Sequence, residues 1–219
     1  MEEKPSESNP TDLSQEPEQN VEESPLLFLE ATGTDDFKKI GLYGSIDEER
    51  AGEIIYLLLA HQYERGKNKS KENSSAADSD DDNYIEFLIS TEGGSASEMF
   101  AIYDVMRALR VDLPIGTYGL GKVMSAGVLL LAAGTKGKRK IGKHCRVMLH
   151  SVISGHAGEL HSLRNELKEV RHTQKQYVAA LAAETDMTKS HISRLLNKKV
   201  NIYFTAEEAV ELGIADQVV

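Results

Sequence analysis

Cysteine is nearly absent from the chain. Cys145 is the single one among 219 residues, so no internal disulfide can form and nothing requires an oxidising compartment. Lys143 and Arg146 beside it could favour a thiolate, whereas the apolar run Val147 to Leu149 fits a small buried residue on a strand. No window approaches the ~18 apolar residues of a membrane span, and the amino terminus lacks the apolar stretch of a signal peptide. A soluble, cytoplasmic protein with no membrane partner is expected. Clustered positive charge is also scarce. The pair Lys198–Lys199 and the run Lys136, Lys138, Arg139, Lys140 are short, and the formal net charge is -10 at pH 7. General nucleic-acid binding, which needs clustered Lys and Arg against phosphate, is therefore excluded. Nothing in the pattern calls for a metal or another cofactor.

What is present divides along the chain. Residues 1–25 are rich in Glu, Ser, Pro, Asn and Gln and carry one lysine, Lys4, against eight acids. They bury too little apolar surface to offset their ordering entropy, and are expected as a disordered acidic tail. Residues 26–219 are then expected to form one compact domain. Within it, 65–83 is expected to be a polar surface insertion, ending in Asp78-Ser79-Asp80-Asp81-Asp82.

Elsewhere strands and helices alternate. Lys39 to Tyr43, Tyr84 to Ile89, Ile115 to Leu120, Arg146 to Leu149 and Ile214 to Val219 read as strands. Capping-box spacings at Ser45 to Glu48, Ser95 to Glu98 and Thr205 to Glu208 start helices, and Ala126 to Ala133 is too apolar to be anything but a buried one. From Gly158 to Ala183, apolar residues recur in steps of three and four, with Leu160, Leu163, Leu167, Val170, Tyr177 and Leu181 on one seam. A helix of that length, about 37 Å at 1.5 Å per residue, outruns a small domain, so part of its seam is expected to pack on another subunit. The alternation means an α/β domain.

Gly121-Lys122-Val123-Met124-Ser125-Ala126-Gly127 sets a serine between a strand end and a buried helix, flanked by small residues that admit another chain. The following N–H groups would point outward, where they could hold an oxyanion. On its own this setting fits a helix N-cap better than a nucleophile.

The wider pattern is more specific. Gly93-Gly94, Ala101 to Met106, Met124 to Gly127, Leu131 to Arg139, Arg146 to His150 and Phe204 to Ala209 occur in an order and spacing that closely resemble the Clp protease proteolytic subunit family, over about residues 38–219. The resemblance implies a ClpP/crotonase-type fold of repeated β-β-α units with a long protruding handle helix, over 155–185. It implies a serine endopeptidase cleaving unfolded polypeptides inside a chamber of two stacked heptameric rings, fed by a Clp-type ATP-dependent unfoldase. By the same resemblance Ser125 is the nucleophile, His150 the general base, and the N–H groups of Gly94 and Ala126 the oxyanion hole. The other histidines have no comparable claim.

Counting back from Tyr203-Phe204-Thr205-Ala206 puts Asn197 at the family's triad-aspartate position, and no Asp or Glu occurs between Met187 and Ala206. An amide can accept from the imidazole but brings no charge and can flip. Reduced activity is one expectation, and a non-catalytic ring subunit partnered by an active paralogue is the alternative. Other departures are Ser90-Thr91-Glu92-Gly93-Gly94 in place of Asn-Ser-Pro-Gly-Gly, Gly121 to Ser125 in place of Gly-Gln-Ala-Ala-Ser, and His150-Ser151-Val152 in place of His-Gln-Pro. A crotonase-class hydratase shares the fold but relies on glutamates, which Ser125 with His150 disfavours. For a pure scaffold there is only the acidic tail.

Overall fold

The structure is a computed structural model that describes residues 39–71, 84–198 and 200–219. The expected acidic tail, 1–25, lies outside the described residues, and so do 72–83 of the expected polar insertion. Residues 65–71 of that stretch continue a helix.

Among the described residues the backbone of the fold is a largely parallel sheet. β1 (Lys39–Ile46) pairs with β2 (Ile85–Gly94), and β2 pairs with β3 (Ile115–Met124), both parallel. Strict alternation along β2, with Ile85, Phe87, Ile89 and Thr91 buried, is what a strand packed more tightly on one face requires. Between these strands run α1 (Glu48–Lys71) and α2 (Ala96–Leu109), so each crossover is helical, as parallel pairing demands. The cap of α1 lies two residues beyond the expected Ser45. β1 continues through Ile46, and it is the Asp47 carboxylate that accepts from the Arg50 N–H at 2.9 Å. On α1, Ile54 and Leu58 enter the core, whereas Leu57 and Leu59 are exposed.

β3 serves two neighbours, and this division positions the site. Its first half, at Thr117 to Gly119, pairs with β4 (Arg139–Ile141), which in turn pairs with β7 (Gln217–Val218). Its second half, at Lys122 to Met124, pairs with β5 (Arg146–Leu149). Gly121, at φ +61°, lies at the junction in a conformation that glycine adopts without strain. Past β3 comes α3 (Ala126–Ala132), buried along its whole length. Past β5 the chain runs to α4 (Leu160–Glu184), then α5 (Lys189–Leu196), β6 (Ile202–Phe204) and α6 (Ala206–Glu211). β6 pairs antiparallel with β5. The capping box expected at Thr205 is present in both directions.

α4 changes character along its length. Leu160, Leu163 and Leu167 are exposed, while Tyr177, Val178, Ala180, Leu181 and Glu184 are buried. Its last residue anchors it. The Glu184 carboxylate accepts from both Arg110 Nη atoms at 2.8 and 2.9 Å and from the Tyr103 hydroxyl at 2.9 Å. Arg139, 2% exposed, donates to the Glu184 and Gly213 carbonyls and pairs with Asp216. Burial opposes ionisation of Glu184, but the Arg110 and Tyr103 hydrogen bonds outweigh it and hold the carboxyl below its ordinary value.

A carboxyl depressed by folding contributes stability above the usual carboxylate range and loses it as pH falls through its folded value. Glu184→Ala, which strips the half-buried Arg110 guanidinium of its carboxylate partner and the Tyr103 hydroxyl of its acceptor, should cost about 1–3 kcal/mol. Urea denaturation from pH 7 down to pH 3 checks both statements: the parent should weaken with acid, and the variant should start weaker and vary less. Equal midpoints for the two at pH 7 would contradict the anchoring role.

Candidate active site

Ser125 and His150 meet because β3 and β5 are parallel neighbours that end together. Met124 is in register with Met148, and the Ser125 N–H donates to the Met148 carbonyl at 2.8 Å. Each residue is the next one out from its strand or its last bridged pair, so one sheet edge presents both. They line a common cleft of about 340 Å³ together with Gly94 and Ala126, the two residues expected to supply oxyanion donors. That volume is in the range of small-ligand and peptide side-chain pockets. Glu92, Met99, Val152, Ile153 and Tyr177 form much of the remaining wall.

The nucleophile candidate is strained. Ser125 has φ 53° and ψ -120°, and it is the one non-glycine residue of positive φ among the described residues. Such a conformation costs on the order of 1–3 kcal/mol and persists only where the surroundings impose it. It does not cap α3 through its side chain, so the hydroxyl is not consumed by the helix and the N-cap reading is set aside. Ala126, as the first residue of α3, has an N–H with no intrahelical acceptor.

The facing loop is shaped by two glycines. A Cβ on Gly93, which sits at φ +99°, would lie 2.6 Å from Ser125 Cβ, and one on Gly94 would lie 2.2 Å from the Ile46 carbonyl oxygen. Only bare backbone lets this loop approach so closely. Where the related pattern has a proline, the loop is held by side chains instead. The Thr91 hydroxyl donates to the Gly44 carbonyl at 2.5 Å and accepts from the Gly93 N–H at 2.9 Å. Glu92 pairs with Lys122 at 2.7 Å, joining the loop to the strand that carries Ser125. The hydrogen bond from Lys122 lowers the Glu92 pKa, so the carboxylate is ionised at neutral pH.

His150 Nδ1 lies 2.5 Å from the Ser151 carbonyl oxygen, and no hydrogen bond joins its ring to Ser125 among the described residues. A carbonyl oxygen can only accept, so the contact places hydrogen on Nδ1 and leaves the Nε2 lone pair of the neutral ring free for a proton. Catalytic hydrogen bonds are often unformed until substrate is bound.

Asn197 is not among the residues that line this cleft. It caps the C-terminus of α5, is exposed, and donates its backbone N–H to Ser193 and Leu195. A second asparagine, Asn201, immediately precedes β6. In the β5–β6 ladder Val147 faces Phe204, Met148 faces Tyr203 and Leu149 faces Ile202. Continuing that register one step past the last pair would place Asn201 across from His150, and directly opposed residues have Cβ atoms about 5 Å apart. Either asparagine is an amide, so neither position carries a carboxylate. Cys145 takes no part. It lies just before β5 rather than on it, and burial pushes its thiol up to about 11, which removes the thiolate reading.

Comparison with known proteins agrees with the residue pattern. A family model described as Clp protease matches residues 34–219. The ATP-dependent Clp protease proteolytic subunit 4 of Rhodococcus jostii is 39% identical over 143 residues, 65% of this chain and 71% of that protein. Proteolytic subunit 1 of Corynebacterium jeikeium is 34% identical over 62% of this chain and 70% of its own length. Proteolytic subunit 1 of Thermobifida fusca is 34% identical over 79% of this chain and 70% of its own.

Proposed function

The chain belongs to the Clp protease family, and from that membership we propose that Ser125 is its nucleophile and His150 its general base, with Asn201 at the position of the triad acid. It is the proteolytic subunit of an ATP-dependent protease, a serine-type endopeptidase. The observation that carries the site assignment is the strained Ser125, sharing one cleft with His150, Gly94 and Ala126.

In this reading His150 Nε2 takes the hydroxyl proton as Ser125 Oγ attacks the scissile carbonyl, and then gives it to the leaving amine. The N–H groups of Gly94 and Ala126 hold the oxyanion of the tetrahedral intermediate. The Ser151 carbonyl keeps the productive tautomer but supplies no full charge to the imidazolium. Turnover is therefore slower than a carboxylate would give. Hydrolysis of a fluorogenic peptide by the full chain tests the reading, and no hydrolysis in any assembled form would favour the non-catalytic ring subunit instead.

Assembly follows from the exposed part of α4. Leu160, Leu163 and Leu167 lie on the seam of a helix whose other end is buried, and a second copy would cover them as a handle between stacked heptameric rings. Clp-type unfoldases, unfolded polypeptides and a paralogous subunit are the partners this reading assigns, in the cytoplasm. Leu167→Asp, which puts a charge into that apolar seam, should split large particles into smaller ones. An unchanged mass by light scattering for the folded variant would mean that the seam is not an interface.

A further inference from the structure

Tyr177 and Gln174 lie one turn apart on α4, and each reaches a different arm of the site. The Tyr177 hydroxyl donates to the Ser125 carbonyl oxygen at 2.8 Å. Gln174 Oε1 accepts from the Val152 N–H at 2.8 Å, two residues beyond His150. Neither contact belongs to the proton-transfer steps above.

The Ser125 carbonyl shares a peptide unit with the Ala126 N–H. A trans peptide is planar, so its C=O and N–H point in opposite directions, and whatever fixes the carbonyl also fixes the N–H. Ser125 holds φ 53°, which it would leave if unconstrained. We propose that Tyr177 is a positioning residue for peptide hydrolysis: by gripping the Ser125 carbonyl it keeps the nucleophile in its strained conformation and aims the Ala126 N–H at the oxyanion. Gln174 steadies the segment after His150 in the same way. One helix thus sets both arms. The inference rests on the assignment of Ser125 as nucleophile. Tyr177 is 5% exposed, and burial pushes its phenol above the ordinary range, so it remains a donor at any working pH. The Val128 N–H donates to the same carbonyl at 3.1 Å, so loss of the phenol should loosen the peptide unit without freeing it.

The test is Tyr177→Phe in the full chain, which keeps the ring and deletes one oxygen. Losing an oxyanion donor outright costs about 10²–10³ in kcat, so misaiming one should cost about tenfold, with KM within about twofold. The rate of fluorophosphonate labelling at Ser125 should fall in parallel, because the phosphonyl oxygen occupies the same hole. Tyr103→Phe is the control, since it deletes another buried tyrosine hydroxyl that bonds Glu184 instead. It should lower the melting temperature while leaving kcat and labelling unchanged. A parent that labels, with a Tyr177→Phe variant whose kcat and labelling rate stay within twofold, overturns the inference alone. If that variant does not fold, the same twofold criterion applied to Gln174→Leu decides. A parent that does not label overturns both this inference and the nucleophile assignment.

Discussion

Ser125→Ala should reduce peptidase turnover to the uncatalysed background while the particle keeps its mass. Loss of the nucleophile in an intact serine triad costs about 10⁶ in kcat, and an amide at the acid position costs about 10⁴ in the chymotrypsin-type case. The parent therefore starts low, and the expected drop is about 10²-fold or more. Removal of one oxygen from a half-buried residue is a small packing change. It should leave the fold unaltered, since alanine carries the same Cβ and is no more strained than serine at φ 53°. His150→Ala should match it, because the two residues act as a unit. Turnover that persists in a clean Ser125→Ala preparation would place the chemistry elsewhere.

Asn201→Asp should raise activity at least tenfold, about 1.4 kcal/mol off the barrier. A carboxylate across the strand pair from His150 would accept the Nδ1 hydrogen now directed at the Ser151 carbonyl, and would add the charge that stabilises the imidazolium. The side chain is nearly isosteric and exposed, so folding should be unaffected. Asn197→Asp, at the exposed end of α5, should leave kcat unchanged. The two variants measured side by side separate the strand-register placement from the sequence count. An increase in Asn197→Asp and none in Asn201→Asp would reverse the assignment.

The sequence carried most of the fold because its signals were local. The β5 boundaries, Arg146–Leu149, and the helices that begin after Ser95, Ser125 and Thr205 follow from apolar runs and caps. The pairing of Ser125 with His150 was legible only through the family pattern, since nothing local says that β3 leaves β4 and joins β5 at Gly121. Short elements escaped. β4 and β6 are three residues each, too short for a period to register, and α5 is a helix of eight. Without β6, counting along the chain leads to Asn197. With Ile202–Phe204 a strand antiparallel to Arg146–Leu149, extending the register by one step is what leads to the proposal of Asn201. The Tyr177 contact was also beyond reach, because Tyr177 read as one more apolar member of a seam, and only the fold shows where its hydroxyl goes.

The central claim is that Ser125 is an activated nucleophile served by His150. Its most direct measurement is treatment of the full-length chain with a fluorophosphonate probe, followed by mass-spectrometric mapping of the adduct. An adduct on Ser125 that disappears in His150→Ala is the predicted result. An unlabelled parent, or an adduct on any other residue, would contradict it.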